Sequence, residues 1–145
     1  MEQRTTAQTD EMNALTTRVI GAAIEVHRHG GPGLLESAYE ACLYHELDSM
    51  SIAVERQRPL PISYKGIDLG CGYRFDLVVE NRLLIELKSV EVLTPLHMAQ
   101  VLTYLRLADL RLGLLINFNV AKLASGVKRV ANQLSDSSAP SAPLR

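Results

Sequence analysis

The sequence predicts an α/β domain built as a mixed β-sheet flanked by helices. Three observations carry this reading. Apolar residues recur at helical spacing over the first third of the chain. From Ile52 the period changes to two, the mark of half-buried strands. A capped helix then leads into a short apolar run, which fits a parallel strand reached through a helical crossover.

The elements follow in order. The first helix starts after Thr9 or Asp10, either of which can cap it, and buries Leu15, Val19, Ala22 and Val26. Gly30-Gly31-Pro32-Gly33 ends it. A second helix runs from Leu35 to Met50, with Leu35, Ala38, Cys42 and Leu43 in its apolar stripe and Leu47 and Met50 beyond. Ile52, Val54, Leu60, Ile62 and Tyr64 alternate with polar residues, and Pro59 and Pro61 point to an edge strand or an irregular junction. Lys65-Gly66 reads as a turn. The clearest hairpin joins Cys71–Val79 to Leu83–Ser89 through Glu80-Asn81-Arg82. Thr94 caps a third helix with Pro95 at its first position, and Met98, Val101, Leu102, Leu105 and Ala108 form its buried stripe. Leu112–Phe118 is the buried parallel strand, and a short helix or strand near Ser125–Val130 closes the domain.

The chain has 145 residues, 47% hydrophobic and 21% charged, with formal net charge −1. That length suits one domain with a core of its own. Residues 1–9 are polar and expected to be disordered, residues 10–134 form the domain, and the Ser/Ala/Pro-rich tail 135–145 cannot bury apolar area. No apolar run approaches the ~18 residues of a membrane span. Met1 to Thr6 holds no signal-peptide core. Cys42 and Cys71 form neither a disulfide framework nor a CxxC pattern, so a reduced, cytoplasmic protein is expected. The near-neutral charge argues against a protein that grips nucleic acid by charge alone.

Chemistry concentrates on the hairpin. With a three-residue loop, Val79 pairs with Leu83 and Asp76 falls opposite Glu86. Alternation puts Arg74, Asp76 and Val78 on one face with Leu84, Glu86 and Lys88. Phe75, Leu77 and Val79 face the other way with Leu83, Ile85 and Leu87. Adjacent carboxylates repel, and a divalent cation relieves that repulsion; oxygen ligands suit Mg²⁺ or Mn²⁺. A neighbouring Lys can orient a water or stabilise charge developing on a phosphate. The bland alternative is an ion-pair cluster on a solvated sheet face. Glu36 starts the second helix, where its charge also suits the helix dipole. Gln100 and Tyr104 sit four apart on the third helix, with His97 before them; a polar helix flank is the alternative there. The four histidines lack zinc-like spacing and read as helix-surface or loop residues, with His97 set apart by its place beside Gln100.

Asp76 followed by Glu86-Leu87-Lys88 resembles the signature of the PD-(D/E)XK nuclease superfamily, and Gln100 to Tyr104 resembles the Q-x-x-x-Y element of its RecB-type members. From Val19 to Asn132 the chain further resembles the small bacterial GxxExxY family, through Gly33, Glu36, Tyr39 and the strand Gly113–Phe118. Phe75 stands where the superfamily usually has Pro, and Gly30 where the family pattern has Leu. The resemblance implies a restriction-endonuclease-like core. It also implies a metal held by Glu36, Asp76, Glu86 and the Leu87 carbonyl, with Lys88 beside the attacked phosphate. Tyr39, Gln100 and Tyr104 would support the site or touch the nucleic-acid backbone.

Two functions follow. The first is a Mg²⁺- or Mn²⁺-dependent nuclease acting on DNA or RNA. The second is a catalytically silent module or subunit with the same fold. Nucleic acid is the expected partner, and a homodimer or partner protein would enlarge a surface too small for a duplex.

Overall fold

The computed structural model describes residues 6–70 and 72–133. Cys71, residues 1–5 and the tail from 134 lie outside them. The first helix, α1 (Thr6–Gly30), begins earlier than its expected start after Thr9 or Asp10. Residues 6–9, expected to be disordered, are its first turn. α2 (Glu36–Ser49) follows after the glycine-rich loop.

A five-stranded sheet comes next, ordered β1-β4-β5-β6-β7, from β1 (Val54–Leu60), β4 (Tyr73–Val79), β5 (Leu83–Lys88), β6 (Leu112–Asn117) and β7 (Val127–Ala131). β1 is an edge strand, so Pro59 costs no ladder bond to a further neighbour. β2 (Ser63–Tyr64) and β3 (Ile67–Asp68) form a separate hairpin, with Lys65 and Gly66 both at positive φ, 50° and 80°. Two left-handed residues in succession match the twist of paired strands.

α3 (Pro95–Ala108) crosses from β5 to β6, which pair in parallel from Leu83↔Leu112 to Lys88↔Asn117. Its start is a reciprocal cap: Thr94 Oγ1 accepts from His97 N–H, and His97 Nδ1 accepts from Thr94 N–H. Gly113 lets the helix sit close, since a Cβ there would lie 3.0 Å from Val101 Cγ1. The closing segment is both of the expected forms, a 3-10 turn at Leu123–Gly126 and then β7.

The sheet therefore has two covered faces. Under α1 and α2 lie Leu77, Val79, Leu83, Ile85, Leu87, Leu114 and Ile116, with Val19, Ala23, Leu43 and Leu47 above them. Under α3 lie Phe75, Val78, Leu84 and Leu115, with Val101, Tyr104 and Leu105. The stripe of α2 differs from its expected form: Tyr39, Glu40, Leu43 and Leu47 are buried, while Leu35 and Cys42 are exposed. Phe75 also departs from its expected place, because it joins the α3 face instead of sharing a face with Leu77. The interruption lies at the intervening position, where Gln57 on the neighbouring strand has φ 52° and the β1–β4 pairing skips Gln57 and Asp76. A left-handed residue interrupts the regular pleat opposite Asp76 while the register on either side, Arg56↔Leu77 and Arg58↔Phe75, keeps one offset. No helix among the described residues is long and apolar enough to cross a membrane.

Candidate active site

The site forms where the β4–β5 ladder stops. Leu77, Val78 and Val79 pair with Ile85, Leu84 and Leu83. At the next position side chains replace the backbone. Asp76 N–H donates to Glu86 Oε1 at 3.2 Å, and Leu87 N–H donates to Asp76 Oδ2 at 2.8 Å. Each carboxylate does what a carbonyl of the opposite strand would do, and the two acids are held side by side.

Both acids are harder to ionise than usual. Burial comes first for Glu86, whose carboxyl is pushed up to about 8, and the charge of Asp76 adds to it. Burial also leads for Asp76, pushed up to about 6 against the opposing Leu87 N–H bond. Glu36 and Glu40 raise Asp76 further, and the Lys88 ammonium pulls both acids back.

Glu36 reaches this end of the sheet from the first turn of α2. Its Oε2 accepts from Ser89 N–H at 3.3 Å, while Ser89 Oγ donates to the Leu34 carbonyl at 2.8 Å. Tyr39 faces away from the acids. Its ring is fully buried and stacks on Phe118 with centroids 4.3 Å apart, and its hydroxyl donates to the Gly31 carbonyl and accepts from Leu34 N–H. Gly33, at φ 100°, supplies a backbone shape that side chains disfavour. Gly33, Tyr39 and Ser89 thus shape the loop that delivers Glu36.

Lys88 ends β5, half-buried, and lines a cavity of about 450 Å³ with Tyr73, Leu96, His97, Gln100, Thr103, Tyr104 and Leu107. Tyr104 is buried against Phe75 and Tyr73, with ring centroids 5.5 and 5.8 Å away. Its hydroxyl is raised by burial and by the charges of Glu86, Tyr73 and Asp76, so it stands within electrostatic reach of the acids. Gln100 is exposed at the cavity. Leu87 points its side chain into the α1/α2 core and meets Asp76 through its N–H.

Residues that the sequence did not single out complete the frame. Glu40 is buried and takes Arg56 Nε at 3.1 Å and Gln57 Nε2 at 2.7 Å, tying α2 to the kink in β1. Asn117, also buried, holds the segment after β5 through Val90 N–H and the Val90 carbonyl. The only sequence signal for either was a polar residue at an apolar beat. His27, expected at the surface, is instead buried, with Nε2 on the Val120 carbonyl at 2.8 Å.

A sequence model of the PD-(D/E)XK nuclease superfamily matches residues 13–130. The chain belongs to that superfamily. Neither a search of curated proteins nor one of solved structures finds a match. The mixed sheet with flanking helices agrees with the restriction-endonuclease-like fold.

PD-(D/E)XK nucleases typically use divalent metals, and the donors here suit one. Mg²⁺ commonly takes one or two carboxylates and completes its shell with water and phosphate oxygens. Asp76 and Glu86 are two such donors, held together at the cost of repulsion and desolvation. Among the described residues, no three acids, histidines or cysteines gather closely enough to hold an ion. Glu36, expected to be a third ligand, lies within electrostatic reach of both acids, and its Oε2 accepts from Ser89 N–H.

Proposed function

We propose that this protein is a metal-dependent nuclease that hydrolyses phosphodiester bonds in DNA or RNA. The observation that supports it best is the crossed pair of Asp76 and Glu86 at the end of a broken ladder, with Lys88 beside it. Burying two like charges costs stability unless something else compensates. A sheet gains nothing from that pair which two backbone bonds would not supply. A cation gains two ligands.

Bound Mg²⁺ or Mn²⁺ would supply positive charge against the phosphate oxygens and the attacking water. Asp76 and Glu86 hold it, and the Leu87 carbonyl is a further oxygen at the same peptide. Glu36 adds negative charge from the α2 side and orders the Ser89 end of β5. Lys88 places its ammonium at the phosphate and orients the water. Gln100 and Tyr104 line the approach on α3. The narrower likeness to the GxxExxY family fits this division, with Gly33 and Tyr39 shaping the loop that carries Glu36. Nucleic acid is the partner, and a homodimer or second protein would widen the surface offered to it.

The test is cleavage of labelled single- and double-stranded DNA and RNA by the purified chain with Mg²⁺ or Mn²⁺. Glu86→Ala and Lys88→Ala are each expected to lower the rate by at least ~100-fold. Titration calorimetry with Mn²⁺ runs beside it, and Asp76→Asn should abolish the binding heat. A folded protein that binds neither metal and cuts no substrate would overturn the proposal in favour of a silent binding module.

A further inference from the structure

The cavity beside Lys88 has a composition that phosphate binding alone does not explain. Tyr73, Leu96 and Leu107 are 56%, 76% and 51% exposed, yet all three line it. Large exposed apolar side chains clustered around one hollow mark a binding surface. Tyr104 is buried against Tyr73, so the two tilted rings form a continuous aromatic wall. Gln100 and Thr103 add hydrogen-bonding groups that can both donate and accept. Among the described residues of the lining, Lys88 is the only Lys, Arg, Asp or Glu, and it also acts on the Asp76–Glu86 pair. The volume, about 450 Å³, falls in the range of small-molecule pockets, ~300–1,000 Å³.

We infer that this cavity receives one unpaired nucleobase, stacked on Tyr73, next to the phosphate held at Lys88. The inference rests on the nuclease reading and names its substrate class: single-stranded or frayed nucleic acid. A base has apolar faces for Tyr73, Leu96 and Leu107, and a polar edge for Gln100 and Thr103. Its phosphate matches the lone cation. Charge complementarity also fixes the orientation, because the base must lie on the α3 side while the phosphate meets Lys88. A paired and stacked base cannot enter such a hollow without leaving its duplex, which costs a few kcal/mol that a single strand is spared. His97 fits the same picture. Its Nδ1 accepts from Thr94 N–H, which leaves Nε2 as the nitrogen that carries the proton in the neutral ring.

The experiment uses the full chain carrying Glu86→Gln, which stops cleavage on the nuclease reading. A single-stranded oligonucleotide bearing 2-aminopurine reports stacking through loss of its fluorescence. Saturable quenching is expected with the single strand, and at least tenfold weaker binding with the matched duplex. Adding Tyr73→Leu should abolish the quenching and weaken binding by about tenfold, the scale of one base–aromatic stack. Tyr73→Phe should restore both. Quenching that survives Tyr73→Leu, or equal affinity for duplex and single strand, overturns the base pocket. The nuclease reading is scored separately, by Mn²⁺-dependent cleavage with the Glu86 chain. Cleavage without stacking sinks only the pocket, and stacking without cleavage leaves a pocket on a silent module.

Discussion

The turn half of the β4–β5 hairpin and its open half are made from the same two strands and obey different rules. Near the turn, Leu77, Val78 and Val79 face Ile85, Leu84 and Leu83 across a backbone ladder, and all six side chains are buried. One residue further on, the ladder is gone and two carboxylates span the gap. The first half is held by apolar burial. The second persists because the first half, α2 and α3 surround it. Functional groups that repel each other can be kept adjacent when a few strongly held neighbours leave them no room to part.

The sharpest contrast is expected in substitutions made on either side of the boundary. Ile85→Ala removes a fully buried side chain from the turn half and should cost ~2–5 kcal/mol in denaturant unfolding. Glu86→Gln, its neighbour, should leave the fold as stable as the parent or more so at pH 8, since it removes a buried charge and keeps an acceptor for Asp76 N–H. Equal losses for the two would erase the distinction between the halves.

The pH dependence of stability probes the open half alone. The folded protein holds a proton on Glu86 up to about 8, and on Asp76 up to about 6, above the ordinary values of 4.5 and 3.8. The stability tied to these protons is complete below the ordinary values and is lost as pH rises through 6 and then 8. The thermal midpoint should therefore climb as pH falls from 8.5 towards about 5 without metal. Glu86→Gln should flatten the upper part of that slope. Mn²⁺ should reverse its sign near pH 8, where the ion competes with fewer protons and stabilises by binding only the folded state.

A smaller effect is expected at the loop that feeds the open half. Tyr39→Phe keeps the stack on Phe118 but leaves Leu34 N–H and the Gly31 carbonyl without the hydroxyl. The cost should be ~1–3 kcal/mol, the range for losing one buried partner. Cleavage should fall with it, because Glu36 loses its fixed approach. Full activity in Tyr39→Phe would mean that Glu36 is placed by Ser89 alone.

The sequence was most readable where chemistry is local. Thr94 and Pro95 announced α3, Lys65-Gly66 announced a turn, and the loop length of the hairpin set Asp76 against Glu86. It was least readable where a residue answers to a distant partner. Gln57 has no feature that forbids a regular strand, yet its amide reaches Glu40 and its φ is positive, and Phe75 lies beside this interruption on the other face from Leu77. Glu40 is a charged residue on the buried side of α2 whose partners, Arg56 and Gln57, come from β1 and are not adjacent to it in sequence. Cys42 read as core because helical spacing is forgiving over one turn, and the true stripe lies rotated toward Tyr39. The candidate acids were legible as types, but the exchange of backbone for carboxylate bonds between them was not.

The stretch from Gly33 into the first turn of α2 at Tyr39 also acts as a ruler. Gly33 sets its zero, Tyr39 clamps its far end on Gly31 and Leu34, and Glu36 is read off midway. An α-helix turns by ~100° per residue, so one extra residue between Glu36 and Tyr39 would swing the carboxylate to another side of α2. Substitutions along this stretch change a side chain at a fixed address. Insertions and deletions change the address itself.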